Sequence, residues 1–104
     1  MRIVAIETSG RHGSVALLNA GVDGVQFVRQ SVLTSDQRTA QSLAPALRQL
    51  LHEAAWPPSS IELVAVTSGP GSFTGLRIGV TTAKTFAYAV GASVIGVDTL
   101  NVIA

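Results

Sequence analysis

Ser68-Gly69-Pro70-Gly71-Ser72-Phe73-Thr74-Gly75-Leu76-Arg77-Ile78-Gly79 joins an apolar strand to a helix through a glycine-rich turn, and its reading decides the fold. Before it, Ile61 to Thr67 is a β-branched, apolar run; after it, Thr74 to Val90 contains no proline and continues as a helix. A strand, a glycine turn and a helix start together make an anion cradle, because free N–H groups and the positive end of the helix dipole meet where glycine admits close approach. The spacing is neither a P-loop, which needs Gly-Lys followed by Ser or Thr, nor a dinucleotide fingerprint with an acid after the next strand. The turn therefore reads as structural before it reads as phosphate-binding. The phosphate reading keeps Thr8, Ser9, Gly69, Gly71 and Ser72 as its candidate residues.

Upstream of this stretch, Arg2 to Thr8 reads as a buried strand and Ser14 to Asn19 as a second, reached across Ser9-Gly10-Arg11-His12-Gly13. Turn residues at 19–24 lead to Val25–Val32, so three strands form an antiparallel meander. Ala40, Leu43, Ala44, Leu47, Leu50, Leu51 and Ala54 recur at helical spacing, with Thr34 and Gln37 as a capping box. Pro45 interrupts that pattern, which predicts a kink or a late start. Trp56-Pro57-Pro58 closes the helix, Ser93 to Val97 is a fifth strand, and Thr99 to Ala104 reads as the first turn of a further helix capped by Asp98 or Thr99. The expected polypeptide is then a piece of a longer one. Three meander strands, helix, strand, helix, strand predict an α/β fold with a five-stranded mixed sheet and flanking helices. That order is the half-domain of the ribonuclease H-like fold, shared by actin, sugar kinases and heat-shock ATPases.

At 104 residues the chain suits one domain. Hydrophobic residues make up 47% and charged residues 12%, about half of the roughly 25% charged fraction usual for a soluble domain. So apolar a surface is expected to dock on a second domain, a second copy or a partner protein. Seven basic and six acidic residues leave a formal charge of +1, with no basic stripe to grip nucleic acid. Cysteine is absent, which excludes disulfides and thiolate metal sites and fits a reducing, cytoplasmic setting. The apolar run Ile3 to Ile6 is cut off by Glu7, and no apolar stretch of about 20 residues follows, so no membrane partner is expected.

Ile3-Val4-Ala5-Ile6-Glu7-Thr8-Ser9, Gly13-Ser14-Val15-Ala16-Leu17 and the run from Ser68 to Gly79 together resemble the TsaB (YeaZ) family, along the whole chain. The resemblance implies the N-terminal lobe of a two-lobe protein, residues 1–104, with the C-terminal lobe absent. It also implies a non-catalytic scaffold in bacterial synthesis of N6-threonylcarbamoyladenosine in tRNA. Such a subunit supports the catalytic paralogue TsaD, with the ATPase TsaE in the same complex, forms a homodimer, and meets tRNA only through the complex. The older label glycoprotease comes from likeness to TsaD and implies no activity here. Two positions depart from the family: Glu7 stands where Asp is usual, and Gln37-Arg38-Thr39 stands where the first helix usually carries an Arg-x-His ahead of its leucine-rich part, so nothing tied to that histidine carries over.

The chain's own chemistry agrees with a non-enzyme. His12 and His52 lie far apart in sequence, reading as a turn residue and a solvated helix-end residue, and no metal or cofactor is expected. Ser72 and Thr74 have no neighbouring base, so Ser72 reads as a helix cap. Thr8 and Ser9 read as satisfying strand-end backbone groups in preference to a phosphate.

The second helix carries a subtler signal. Gly75, Gly79, Ala83 and Ala87 recur every four residues and place small side chains in one row, along which another element can approach closely. Glycine inside a helix costs roughly 0.5–1 kcal/mol relative to alanine, so close packing has to compensate. The approaching element is expected to be a helix of TsaD or of a second copy, seated on this row and on Leu43 and Leu47 of the first helix, with Arg77 and Lys84 as polar rim. The chain's own first helix or its sheet is the alternative occupant. A nucleotide-binding ATPase-like half-domain and a purely self-associating module are the rival functions.

Overall fold

The computed structural model describes residues 1–8, 13–33, 39–69 and 73–98. Five strands and two helices follow in the order β1 (Arg2–Glu7), β2 (Ser14–Gly21), β3 (Gly24–Val32), α1 (Thr39–Glu53), β4 (Leu63–Gly69), α2 (Phe73–Val90) and β5 (Ser93–Asp98). A single 3-10 turn, Pro58–Ser60, precedes β4, because Pro57 and Pro58 fix φ and delay the strand to Leu63. The capping box at Thr34 and Gln37 and the helical turn at 99–104 lie outside the described residues. Pro45 sits inside α1, six residues after its first residue, so the helix starts ahead of the proline.

The sheet runs β3-β2-β1-β4-β5. β1 and β3 flank β2 antiparallel, whereas β4 lies parallel to both β1 and β5. This is the expected meander followed by two crossovers, the ribonuclease H-like half-domain. Crossover connections carry α1 and α2, and parallel neighbours need them because a hairpin cannot join strands that point the same way.

Strand alternation separates two faces. On one face Val4, Ile6, Val15, Leu17, Val64 and Val66 are buried, and they form one core with Leu43, Leu47, Leu50 and Leu51 of α1 and Ala83 and Ala87 of α2. Both helices therefore cover the same side. The register places Ala5 beside Ala65 and Ala65 beside Ile95 on the opposite side. There Ala5 and Ala65 are half-buried and Ile95 is 46% exposed.

Two local devices set where the helices end. Gly91 has φ +77° and follows α2, while the Ala92 N–H donates to the Ala87 carbonyl at 2.9 Å. That is the six-to-one bond of a Schellman stop. The same device ends α1, with the Trp56 N–H donating to the Leu51 carbonyl at 3.0 Å, but here the left-handed position is Ala55, at φ 57°. The connection beyond α1 is held to β1 by Arg2, whose guanidinium lies 4.7 Å from the Trp56 ring centroid and donates to Ser60 Oγ at 3.0 Å.

Candidate functional site

Three members of the small-residue row, Gly79, Ala83 and Ala87, lie underneath their own molecule. Gly79 is buried, Ala83 is 0% exposed and Ala87 is 2% exposed, all on the side of α2 that meets the sheet. A Cβ added at Gly79 would overlap the Thr8 hydroxyl and stand 3.3 Å from Thr8 Cβ and Cγ2. The expectation that Gly79, Ala83 and Ala87 seat a foreign helix is thus corrected: the row lets α2 sit close on β1 and β4. Leu43 and Leu47 need the same correction, since at 1% and 3% exposure they belong to the core. The physical reason is the sheet's own need to be covered; an apolar face of β-branched side chains takes the flattest helix side available. Gly75 belongs to α2, but its surroundings lie outside the described residues. Arg77 and Lys84 are exposed, as expected of a rim.

What the helices turn outward is a groove. Between α1 and α2, Leu47 and Leu51 form the floor, Phe86 and Ala89 one wall, and Ala44 and Pro58 the other, enclosing about 360 Å³. Thr81, Thr82 and Thr85 supply the polar groups on the α2 side. At one end the groove continues past Arg48 to His52 and Trp56, and at the other past Thr81 and Thr82 to Arg77. Leu47 contributes only its buried side chain as floor, and the exposed residues that shape the groove, Thr85 and Ala89 among them, went unnoticed in the sequence. The signal was available: Thr81, Thr85 and Ala89 recur every four residues, parallel to the glycine–alanine row and displaced around the helix.

At the carboxyl ends of β1 and β4 the structure places some of the phosphate candidates. Glu7 and Thr67 are side by side in the parallel register, and Thr67 Oγ1 donates to Glu7 Oε1 at 3.3 Å while accepting from the Thr8 N–H at 3.3 Å. The strand-end backbone is therefore served by the Thr67 hydroxyl, and not by Thr8 as the sequence suggested. Thr8 is 2% exposed, and its own Oγ1 finds no hydrogen-bond partner among the described residues. Gly69 closes β4 opposite Asp98. Ser9, Gly71 and Ser72, with His12, lie outside the described residues. His52 stands exposed in the last turn of α1. Among the described residues no three His, Cys, Asp or Glu side chains gather to hold a metal, and no helix is long and apolar enough to cross a membrane.

A family profile described as tRNA N6-adenosine threonylcarbamoyltransferase, TsaD, matches residues 28–104. The tRNA threonylcarbamoyladenosine biosynthesis protein TsaB of Escherichia coli is 36% identical over 104 residues, which is 100% of this chain and 43% of that protein. The solved structure of YeaZ from Pseudomonas aeruginosa superposes with a TM-score of 0.81 at 33% identity, covering 93% of this chain and 43% of that one. RuvC of Thermus thermophilus shares the fold, with a TM-score of 0.65 at 16% identity over 94% of this chain and 64% of its own. The chain thus spans less than half the length of the TsaB proteins it matches. With its sheet order and its length-wide likeness in agreement, the chain belongs to the TsaB (YeaZ) family.

Proposed function

We propose that this chain forms the N-terminal lobe of a two-lobe, non-catalytic subunit in the synthesis of N6-threonylcarbamoyladenosine on tRNA. It holds the catalytic paralogue TsaD through the outer side of α1 and α2. TsaE belongs to the same cytoplasmic complex, and tRNA is met only through it. The observation that carries this reading is the apolar groove between the two helices, exposed although the chain is short of charge to solvate its surface. A groove floored by leucine and walled by alanine and phenylalanine suits the apolar stripe of another helix. Gly79, Ala83 and Ala87 play no part in this docking, because they face the sheet.

Thr85→Trp tests the reading. Thr85 is exposed on the groove wall, so tryptophan there fills the groove without disturbing the core. The full-length variant should keep its melting temperature and bind TsaD at least about ten-fold more weakly in a calorimetric titration, the scale of a blocked hot spot. Wild-type affinity would overturn the docking site. Loss of self-association with TsaD binding intact would instead favour the self-associating module.

A further inference from the structure

β3 ends the sheet, so among the described residues no strand pairs with its far side. Its side chains are largely exposed, with Val25 at 64%, Phe27 at 60% and Val32 at 59%, and the strand has neither proline nor lysine to guard an edge. Which backbone groups point outward follows from the bonds at its two ends. The Ala20 N–H donates to the Met1 carbonyl, and the Ala20 carbonyl accepts from the Met1 amino group, both away from β3. Val25, opposite Ala20, therefore turns its own N–H and C=O outward, and Phe27 repeats this. At the other end the Leu33 N–H donates inward to the Gly13 carbonyl, so Val32 and Gln30 turn outward. The two alternations meet out of step at Val28, which has no counterpart on β2 where the register slips between Leu17 and Leu18.

We propose that this edge pairs antiparallel with β3 of a second copy of the chain, about a twofold axis passing between Val28 and Arg29. A regular strand can follow the outward groups on one side of the bulge only, because the spacing from Phe27 to Gln30 is longer than that from Val25 to Phe27. A second copy carries the same interruption at the same place. With the axis there, Val25 faces Val32 of the other copy and Phe27 faces its Gln30, so every outward residue meets another. No other antiparallel placement of the strand on itself engages Val25, Phe27, Gln30 and Val32 together. Opposite Ala20, Leu18, Ala16 and Ser14, these side chains also share one face of the sheet, where cross-strand neighbours reinforce each other. Arg29 is the one charged residue of β3, and Glu53 pairs with it at 3.5 Å, so the axis brings no unbalanced cations together. α2, which carries Thr81, Thr85 and Ala89 of the groove, packs on β1, β4 and β5, so this edge is a separate surface and does not rest on the docking of TsaD.

Sedimentation of the full-length protein over a range of concentrations tests the pairing in wild type, Val25→Lys/Val32→Lys, Val25→Lys/Val32→Glu and Thr85→Trp. Both valines are exposed, so melting temperatures should stay unchanged. Wild type and Thr85→Trp should dimerise alike. The double lysine variant sets like charges against each other on both sides of the axis and should dimerise at least about ten-fold more weakly. The lysine–glutamate variant sets opposite charges across the same positions and should recover the dimer. A monomeric wild type, or a dimer indifferent to the double lysine change, would overturn the proposal. A lysine–glutamate variant as weak as the double lysine one would overturn the register. Loss of the dimer in Thr85→Trp, with the double lysine variant still dimeric, would assign self-association to the groove instead.

Discussion

Gly79 of α2 lies directly against the hydroxyl of Thr8, the residue that follows β1, so closely that the smallest side chain would overlap it. The contact joins α2 to the end of β1, and it explains a glycine inside an 18-residue helix. A cost of roughly 0.5–1 kcal/mol in helix propensity is offset by the close approach it permits.

Gly79→Ala should destabilise the protein by about 1–3 kcal/mol, the range for overpacking a core, in spite of alanine's better helix propensity. Gly79→Leu should fail to fold, so loss of partner binding in that variant would say nothing about docking. Adding Thr8→Ala removes the atoms the new methyl would strike and should restore much of the loss. Denaturant unfolding of the two single variants and the double gives the coupling; additive effects would show that the contact is not the cause.

Thr8→Val tests the orphaned hydroxyl. The side chains have nearly the same shape, and Thr8 Oγ1 is buried without a partner among the described residues. Removing it should stabilise by about 1 kcal/mol, since a buried, unsatisfied hydroxyl carries a desolvation cost that valine does not. A lower melting temperature would reveal a partner for that oxygen.

Ala55→Gly should stabilise by about 0.5–1 kcal/mol. Ala55 occupies the left-handed position of the stop after α1, at φ 57°, where a Cβ is penalised and glycine is not. Ala55 is exposed, so no packing is lost. Thermal unfolding checks it, and an unchanged or lowered midpoint would mean that the loop relaxes without strain.

The elements were legible because their periods differ. The short apolar run within Arg2–Glu7 and the three-to-four spacing from Leu43 to Leu51 point to a buried strand and a helix, and the crossovers then place β4 parallel beside β1. The orientation of α2 was not legible. A row of glycine and alanine announces that something comes close; whether the visitor is a stranger or the molecule's own sheet depends on which side of the helix the sheet claims. Thr67 was missed for a related reason: its hydroxyl serves Glu7 and Thr8 across a parallel register that brings residues about sixty positions apart together. The stop at Ala55 lacked its usual sign, since no glycine marks it.

Because α2 keeps its architectural residues on one side and its threonine-lined wall on another, folding and recognition are written in separate alphabets on the same rod. Mutations can re-address the outer side toward a new associate without disturbing the close contact of Gly79 with Thr8, which gives one scaffold room to diverge in whom it serves while remaining the same shape.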